Sequence, residues 1–155
     1  MENPNQLTYR PATLADLKII LELQQQAFKP VDHLKPETLR RLLHNKQNTI
    51  IFDLIETEQL PIGFAIFFTR SNSKKIRLYY LCISTNFSGR GFGFNYLQQR
   101  IASLANDFES ISLEVRVSNL PAYRLYQKLG FKIVKKLPAY YDDQEDGYRM
   151  IKKIL

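Results

Sequence analysis

The stretch LEVRVSNLPAYRLYQKLGF, residues 113–131, contains a strand, a helix start and a helix stop in close succession. Apolar residues occupy alternate positions of its first part, which is typical of a strand with one buried face, and we predict a strand over 110–117. Asn119 and Pro121 then mark a helix N-terminus, and Gly130 marks the helix end. A strand followed closely by a helix favours a mixed α/β domain.

The same patterns extend the prediction to both ends of the chain. Three apolar, β-branched runs separated by polar turns (58–59 and 71–75) indicate an antiparallel meander. A capping-box pattern and an early proline open the two helices before it. The predicted strands are 7–10, 49–56, 60–69, 76–84, 110–117, 131–137 and 148–154, and the predicted helices are 13–28, 36–44, 91–107 and 119–129. The order β-α-α-β-β-β-α-β-α-β-β indicates one α/β domain over 1–155 with a mostly antiparallel sheet.

The composition predicts a soluble globular protein with excess positive charge. Of 155 residues, 45% are apolar and 24% charged, and no apolar run reaches the roughly 18 residues that a membrane span needs. The net charge of +7 favours anionic partners, but the basic residues are scattered along the sequence. We therefore expect no specific nucleic-acid site, although contact with ribosomal material stays open. The polar N-terminus lacks a signal-peptide core, so we expect cytoplasmic localisation and no membrane partner.

The few cysteine and histidine residues predict no metal site. Cys82 is the single cysteine, which excludes an internal disulfide. His33 and His44 lie in a polar region without the partners that a zinc or catalytic centre requires, so we expect surface or capping roles for them.

Glycine occupies every second position of 89–93, between a predicted strand and a predicted helix. Bare backbone N–H groups and the positive end of a helix dipole meet there, so the segment can cradle a pyrophosphate, with Arg90 adding charge at the rim. The spacing fits neither the G-x-G-x-x-G dinucleotide motif nor the G-x-x-x-x-G-K-[ST] phosphate loop. The residues alone thus leave phosphate binding and tight packing as alternatives.

The string from Glu114 to Phe131 resembles the E-V-x-x-x-N-x-x-A-x-x-L-Y-x-x-x-G-F region of the GNAT superfamily of N-acetyltransferases. Within that superfamily it looks most like the RimI type, which acetylates protein N-termini. The segment 10–13 with Asp16 resembles the family's opening strand and first helix, and the last hairpin is also similar. The resemblance implies the GNAT fold, with the sheet splayed between the glycine-loop strand and the Glu114 strand, and acetyl-CoA as co-substrate.

The resemblance also implies where acetyl-CoA binds. Gly91 and Gly93 match the family pattern [QR]-x-x-G-x-[GA], whereas Ser88 stands at the position of the usual Gln or Arg. That departure removes one long side chain from a site built mainly from backbone N–H groups. Asn119 would hydrogen-bond the cofactor arm, or would only cap a helix. The implied cofactor-binding residues are Leu81, Cys82, Ile83, Ser88, Gly89, Arg90, Gly91, Phe92, Gly93 and Asn119.

Acetyl transfer from a thioester needs a neutral amine, donors for a developing oxyanion and a proton for the leaving thiolate. The resemblance implies direct transfer with Glu114 as base and Tyr126 as acid. Taken as residues alone, an exposed strand carboxylate and a core aromatic are the alternatives. We expect the oxyanion donors at the backbone N–H of Cys82 or Ile83. An acetyl-Cys82 intermediate is disfavoured because no histidine or asparagine arrangement accompanies the thiol.

The acceptor amine is less constrained. A protein N-terminal α-amine, ribosomal-protein-like, is the first expectation, because its ordinary pKa of about 7.7–8.0 is far below the roughly 10.4 of lysine. Tyr140 and Tyr141 resemble peptide-groove residues, or else they close the core. The acidic loop 142–146 would attract a basic tail, or else it is only a solvated loop. The alternatives are lysine, a polyamine or an antibiotic amine, and a non-catalytic domain that binds CoA or RNA. A monomer and a homodimer both stay open.

Overall fold

Seven strands form one mixed sheet, and four α-helices pack on its two faces. The computed structural model describes residues 6–44, 48–58 and 60–155, and the strands and helices are counted over these residues. The strands are β1 (Leu7–Pro11), β2 (Ile50–Thr57), β3 (Leu60–Phe68), β4 (Lys75–Ile83), β5 (Ser110–Arg116), β6 (Lys132–Leu137) and β7 (Gly147–Lys153). The helices are α1 (Leu17–Ala27), α2 (Pro36–Leu43), α3 (Phe92–Leu104) and α4 (Leu120–Lys128). The predicted order is confirmed; the turn residue Gln59 and the N-terminal residues 1–5 lie outside the described residues.

A capping box fixes the start of α1. The Thr13 N–H donates to Asp16 at 2.8 Å, but the turn Leu14–Asp16 is a 3-10 helix, so α1 begins later than predicted. Arg10 of β1 holds the same carboxylate at 2.9 Å, and this hydrogen bond lowers the pKa of Asp16. The contact ties the first strand to the first helix.

The strand order is β1-β2-β3-β4-β5-β7-β6, and every described neighbouring pair is antiparallel except β4 with β5. The β4–β5 ladder runs from the Lys75–Ser110 pair to the Leu78–Leu113 pair and then stops, although both strands continue. A gap therefore opens between 79–83 of β4 and 114–116 of β5. This confirms the predicted splay of the sheet.

The two faces of the sheet bury separate hydrophobic cores, which we call the α3 face and the α1 face. Helices α3 and α4 cover the first, and α1 and α2 cover the second over β2, β3 and β4. Side chains of β4 alternate between them, since Leu81 and Ile83 pack on the α3 face and Cys82 packs on the α1 face. Over β6, the cations Lys132 and Lys135 remain exposed to solvent.

A buried polar network joins α3 to β2. Asp53 is 2% exposed and accepts a hydrogen bond from the Tyr96 hydroxyl at 2.5 Å. Arg100 donates to the other carboxylate oxygen at 3.4 Å, and its guanidinium lies 5.0 Å from the centre of the Tyr9 ring. Burial raises the pKa of Asp53, because the charged form loses its hydration. These donors therefore offset the cost of keeping a carboxyl group in the interior.

Candidate active site

The gap between β4 and β5 forms the floor of a cleft with a volume of about 380 Å³. Its walls come from the strands beside the gap, the segment between α1 and α2, the start of α4 and the loop between β6 and β7. The residues that line it include Asp32, His33, Tyr80, Leu81, Glu114, Arg116, Asn119, Tyr126, Tyr141 and Asp142. The two predicted catalytic residues thus line one cleft.

The glycine segment leads from β4 into α3 beside this gap. Gly89 and Gly91 have φ of +74° and +79°, a left-handed conformation that favours glycine, and Gly91 is the N-cap of α3. The first intrahelical bond runs from Asn95 N–H to Gly91 at 2.9 Å, so the amides of 92–94 precede it. A Cβ on Gly93 would meet Leu125 at an ordinary 3.6 Å. Backbone conformation, rather than tight packing, therefore explains the first two glycines.

The side chains around these amides point elsewhere. Ser88 donates its hydroxyl to the Thr85 carbonyl at 2.9 Å, so the residue at the family's Gln/Arg position is used inside the turn. Arg90 is exposed and lies over the Phe87 ring at 5.5 Å. Phe92 is buried in the α3-face core, which leaves its backbone amide as the group it offers.

The backbone of β4 directs alternate residues into the gap. Ser84 N–H donates to the Ile62 carbonyl of β3 at 2.7 Å, and a Cβ on Gly63 would lie 2.2 Å from the Cys82 carbonyl oxygen. Both observations point the polar backbone groups of Cys82 toward β3, so those of Leu81 and Ile83 face the gap. This alternation favours Ile83 over Cys82 as an N–H donor in the cleft.

The Cys82 side chain is also remote from the gap. It is fully buried in the α1-face core, and burial raises the pKa of its thiol to about 12. A thiol that stays protonated in an apolar environment is a poor nucleophile, in agreement with the sequence argument against an acetyl-cysteine route.

Glu114 lies on the α1 face of β5, opposite to the buried Leu113 and Val115, as strand alternation predicts. Its side chain is 8% exposed. Arg77 donates to one carboxylate oxygen at 2.9 Å and Arg149 donates to the other at 3.2 Å. Each oxygen keeps a second lone pair, so the ion-paired carboxylate can still accept a proton or a hydrogen bond from water in the cleft.

Tyr126 projects from α4 into the same cleft. It is buried and lies edge-to-face against Phe131, with ring centres 5.8 Å apart. Burial raises the pKa of its phenol to about 12. No described residue forms a hydrogen bond with its hydroxyl. Asn119 caps α4 by accepting from Ala122 N–H at 3.3 Å, so the capping role expected for it is present.

Arg116 gathers the acidic groups at the mouth of the cleft. Its guanidinium binds Asp32 at 2.8 Å and both Asp143 and Glu145 at 2.9 Å. Hydrogen bonds from Arg116 lower the pKa of Asp143, and those from Ser118 and Arg116 lower the pKa of Glu145. Most of the acidic loop is therefore neutralised internally, and Asp142 is the member that lines the cleft.

The two tyrosines after β6 behave differently. Tyr141 lines the cleft beneath Arg116, whose guanidinium lies 4.1 Å from the ring centre. Tyr140 is 41% exposed and accepts from Arg77 at 3.4 Å. Burial raises the pKa of Tyr141, so its hydroxyl keeps its proton.

Sequence reasoning missed four residues that shape this cleft: Asp32, Arg77, Arg116 and Arg149. Arg77, Arg116 and Arg149 lie on strands, and each meets its carboxylate partners only through cross-strand pairing or loop closure. The one available signal was strand alternation. It places the residues of β5 and β7 that alternate with the buried ones on a common face of the sheet.

The described part of the chain contains no group of three His, Cys, Asp or Glu residues that could hold a metal ion. Among the helices of those residues, none has the length and apolar character to cross a membrane.

Comparison with known proteins agrees with this geometry. The profile of the acetyltransferase (GNAT) family matches residues 17–131. An N-alpha-acetyltransferase of Saccharolobus solfataricus is 31% identical over 138 residues, covering 83% of this chain and 81% of that protein.

Two solved structures share the fold. The ribosomal-protein-S18-alanine N-acetyltransferase from Escherichia coli superposes with a TM-score of 0.84 at 22% identity, over 96% of this chain and 94% of that one. The spermidine N-acetyltransferase from Vibrio cholerae in complex with CoA and spermine has a TM-score of 0.82 at 21% identity, over 96% and 95%. With the family profile and the archaeal relative, these observations establish that the chain belongs to the GNAT family and is an N-acetyltransferase.

Proposed function

We propose that this enzyme transfers the acetyl group of acetyl-CoA to the N-terminal α-amine of a protein. The observation that carries the proposal is the cleft. The free amides at the start of α3 follow β4, which borders the gap, and Glu114 and Tyr126 line the cleft. The archaeal relative, named an N-alpha-acetyltransferase, supports the α-amine as acceptor.

The N-terminus of α3 is the proposed pyrophosphate site. A helix of 13 residues presents about half a positive charge at its first turn, and three amides there precede the first intrahelical bond. Because Ser88 is engaged with Thr85 and Arg90 lies over the Phe87 ring, binding rests on these amides, and Arg90 would add charge at the rim only after its side chain turns from that ring. The outward backbone groups of Leu81 and Ile83 would hold the pantetheine arm between the separated strands, in the manner of an added strand.

Glu114 is the proposed base, acting through a water molecule. Arg77 and Arg149 each occupy one lone pair and hold the carboxylate in place on β5, while the remaining lone pairs are free to orient water toward an incoming ammonium. Positioned general bases contribute about 10²- to 10⁴-fold to rate.

Tyr126 is the proposed donor to the leaving thiolate. Its pKa of about 12 keeps the phenol protonated throughout the neutral range. An ordinary thiol has a pKa near 8.5, so complete transfer of the phenol proton would be uphill by about 5 kcal/mol. Tyr126 is therefore proposed to stabilise the thiolate by a hydrogen bond, which revises the proton exchange expected from the two unperturbed pKa values.

The ion pairs in the cleft favour an acceptor amine that loses its proton readily. Arg77 and Arg149 already hold Glu114, and Arg116 holds Asp32, so these carboxylates are ion-paired and offer little attraction to a further cation. An α-amine loses its proton near pH 8, whereas lysine and polyamines remain cationic there. The α-amine therefore enters this cleft at a smaller electrostatic cost.

A polyamine is the second candidate acceptor. Asp32 and Asp142 line the cleft, and the Vibrio cholerae neighbour is described with spermine bound. Against it, Asp32 is already bound by Arg116 at 2.8 Å, which leaves Asp142 as the carboxylate at the cleft mouth without an ion pair among the described residues.

Acetylation of a peptide pool tests the proposal. The pool varies the first residues, and matched copies carry a blocked N-terminus; spermine is a parallel acceptor. We expect mass spectrometry to find acetyl on free α-amines and not on blocked copies. Acetyl on lysine in both sets, or on spermine alone, would refute the α-amine assignment. Binding of acetyl-CoA without transfer to any of these acceptors would refute the assignment of a protein N-terminus as the acceptor.

A further inference from the structure

The strand register collects scattered cations onto one open face of the sheet. Directly opposed residues in neighbouring strands point to the same side. The opposed pairs are Lys75–Ser110 and Arg77–Ser112 between β4 and β5, Ser110–Lys153 and Glu114–Arg149 between β5 and β7, and Ile151–Lys132 and Arg149–Lys135 between β7 and β6. Because Glu114 lies on the α1 face, this whole group lies there, beyond the part of that face which α1 and α2 cover. We call it the basic face.

The charge on the basic face is strongly unbalanced. Six cations lie on it, and Glu114 is the single acidic residue in the four strands that form it. Lys75, Lys132, Lys135 and Lys153 are exposed and have no ion pair among the described residues. The six cations and Glu114 on this face together account for most of the net charge of +7 of the whole chain.

A second cavity, with a volume of about 370 Å³, adjoins the basic face at the start of β4. Arg70, Lys75 and Arg77 line it together with Phe68 and Ser112. Phe68 stacks on Tyr79 at 4.4 Å between ring centres, and Arg77 lies over the Tyr79 ring at 5.5 Å. Arg70 and Lys75 line this cavity without an ion pair among the described residues, so it can hold a phosphate group.

We propose that the basic face binds single-stranded RNA through its phosphates and ribose hydroxyls. Strand spacing makes the face on the order of 14 Å wide, and its four lysines without an ion pair could neutralise about four phosphates. The hydroxyls of Ser110 and Ser112 lie among the cations, where they can bond a ribose 2′-hydroxyl. Self-association through this face is disfavoured, because it would oppose six cations with six.

This proposal does not rest on the acceptor assigned above, although the basic face borders the proposed active site at Glu114, Arg77 and Arg149. Sequence reasoning expected no specific nucleic-acid site because the basic residues are dispersed along the chain. The antiparallel pairing of β7 with both β5 and β6 brings them together, so the face exists only in the folded protein.

Binding of a labelled 12-nucleotide single-stranded RNA, followed by fluorescence anisotropy over a salt series, tests the proposal. With about four phosphates neutralised, log K should fall with log salt at a slope near −3. The double variant Lys132→Glu/Lys135→Glu should lower affinity at least about 10-fold and reduce the slope by about 1.4. Lys75→Glu/Lys153→Glu should do the same from the other side of the face.

The matched control is Lys18→Glu/Arg41→Glu, which makes the same charge change at exposed positions of α1 and α2. It should retain the wild-type slope, and each variant should keep its acetyl-CoA affinity as a check of folding. Equal loss in the control, no loss in the two face variants, or equal binding of the matching DNA would overturn the proposal. Displacement of the RNA by an equal concentration of polyglutamate would assign the face to acidic protein instead.

Discussion

Replacing Tyr126 by phenylalanine removes one hydroxyl from the cleft wall and leaves the ring in place. No described residue pairs with that hydroxyl, while the ring packs against Phe131 at 5.8 Å. The substitution deletes no intramolecular hydrogen bond among those residues, so the free energy of unfolding should change by less than about 0.5 kcal/mol.

The effect on turnover should be much larger. A hydrogen bond to a charged group contributes about 1.5–3 kcal/mol, and each 1.36 kcal/mol corresponds to a factor of ten in rate. Tyr126→Phe should therefore lower kcat by about 10- to 150-fold. Because the pKa of Tyr126 is about 12, the wild-type kcat should show no descending limb from this residue between pH 6 and 10.

The assay is steady-state acetyl transfer to a peptide with a free α-amine, measured from pH 6 to 10 with saturating acetyl-CoA. Thermal unfolding of both proteins provides the folding control. A loss of less than about threefold in kcat would refute the hydrogen-bond role of Tyr126. A loss beyond about 10³-fold with unchanged unfolding would show complete proton transfer, and so would contradict the argument from its pKa.

Four further substitutions test the proposed base, the glycine segment and the buried polar network. Glu114→Gln should lower kcat by about 10²- to 10⁴-fold while calorimetry finds acetyl-CoA affinity within about twofold of wild type; unchanged turnover would reject Glu114 as base. Gly91→Ala should cost about 1–2 kcal/mol of stability because its φ is +79°, and should weaken acetyl-CoA binding. Gly93→Ala, at an unstrained position, should leave the unfolding temperature nearly unchanged; equal destabilisation by both alanines would reject the conformational explanation. Tyr96→Phe should lower stability by about 1–3 kcal/mol in thermal unfolding, since buried Asp53 loses a donor, and an unchanged melting temperature would contradict this.

The element order was predictable because local signals are strong in this chain. Proline opens α2 and α4, glycine with positive φ precedes α3 and follows α4, and strand alternation separates the two faces of β5. The same alternation places Glu114 opposite the buried row. Helix α1 begins later than the capping-box pattern predicts, because the capping box closes a 3-10 turn first.

The partners of the site residues were not predictable, because they depend on which strands become neighbours. Arg149 reaches Glu114 only because β7 inserts between β5 and β6, and 35 residues separate the two along the chain. Arg116 meets Asp32 across 84 residues. Long-range register also decides that Cys82 turns its backbone to β3 while Leu81 and Ile83 face the gap.

Acetyl transfer to a protein α-amine is tested most directly with one peptide that carries two acceptors, a free α-amine and one internal lysine. The peptide is incubated with the wild-type enzyme and less than one equivalent of acetyl-CoA at pH 7.5, and tandem mass spectrometry locates the acetyl group. The α-amine assignment predicts acetyl on the α-amine and none on the lysine, with the signal greatly reduced in Glu114→Gln. Acetyl on the lysine, or an equal division between the two amines, would contradict it.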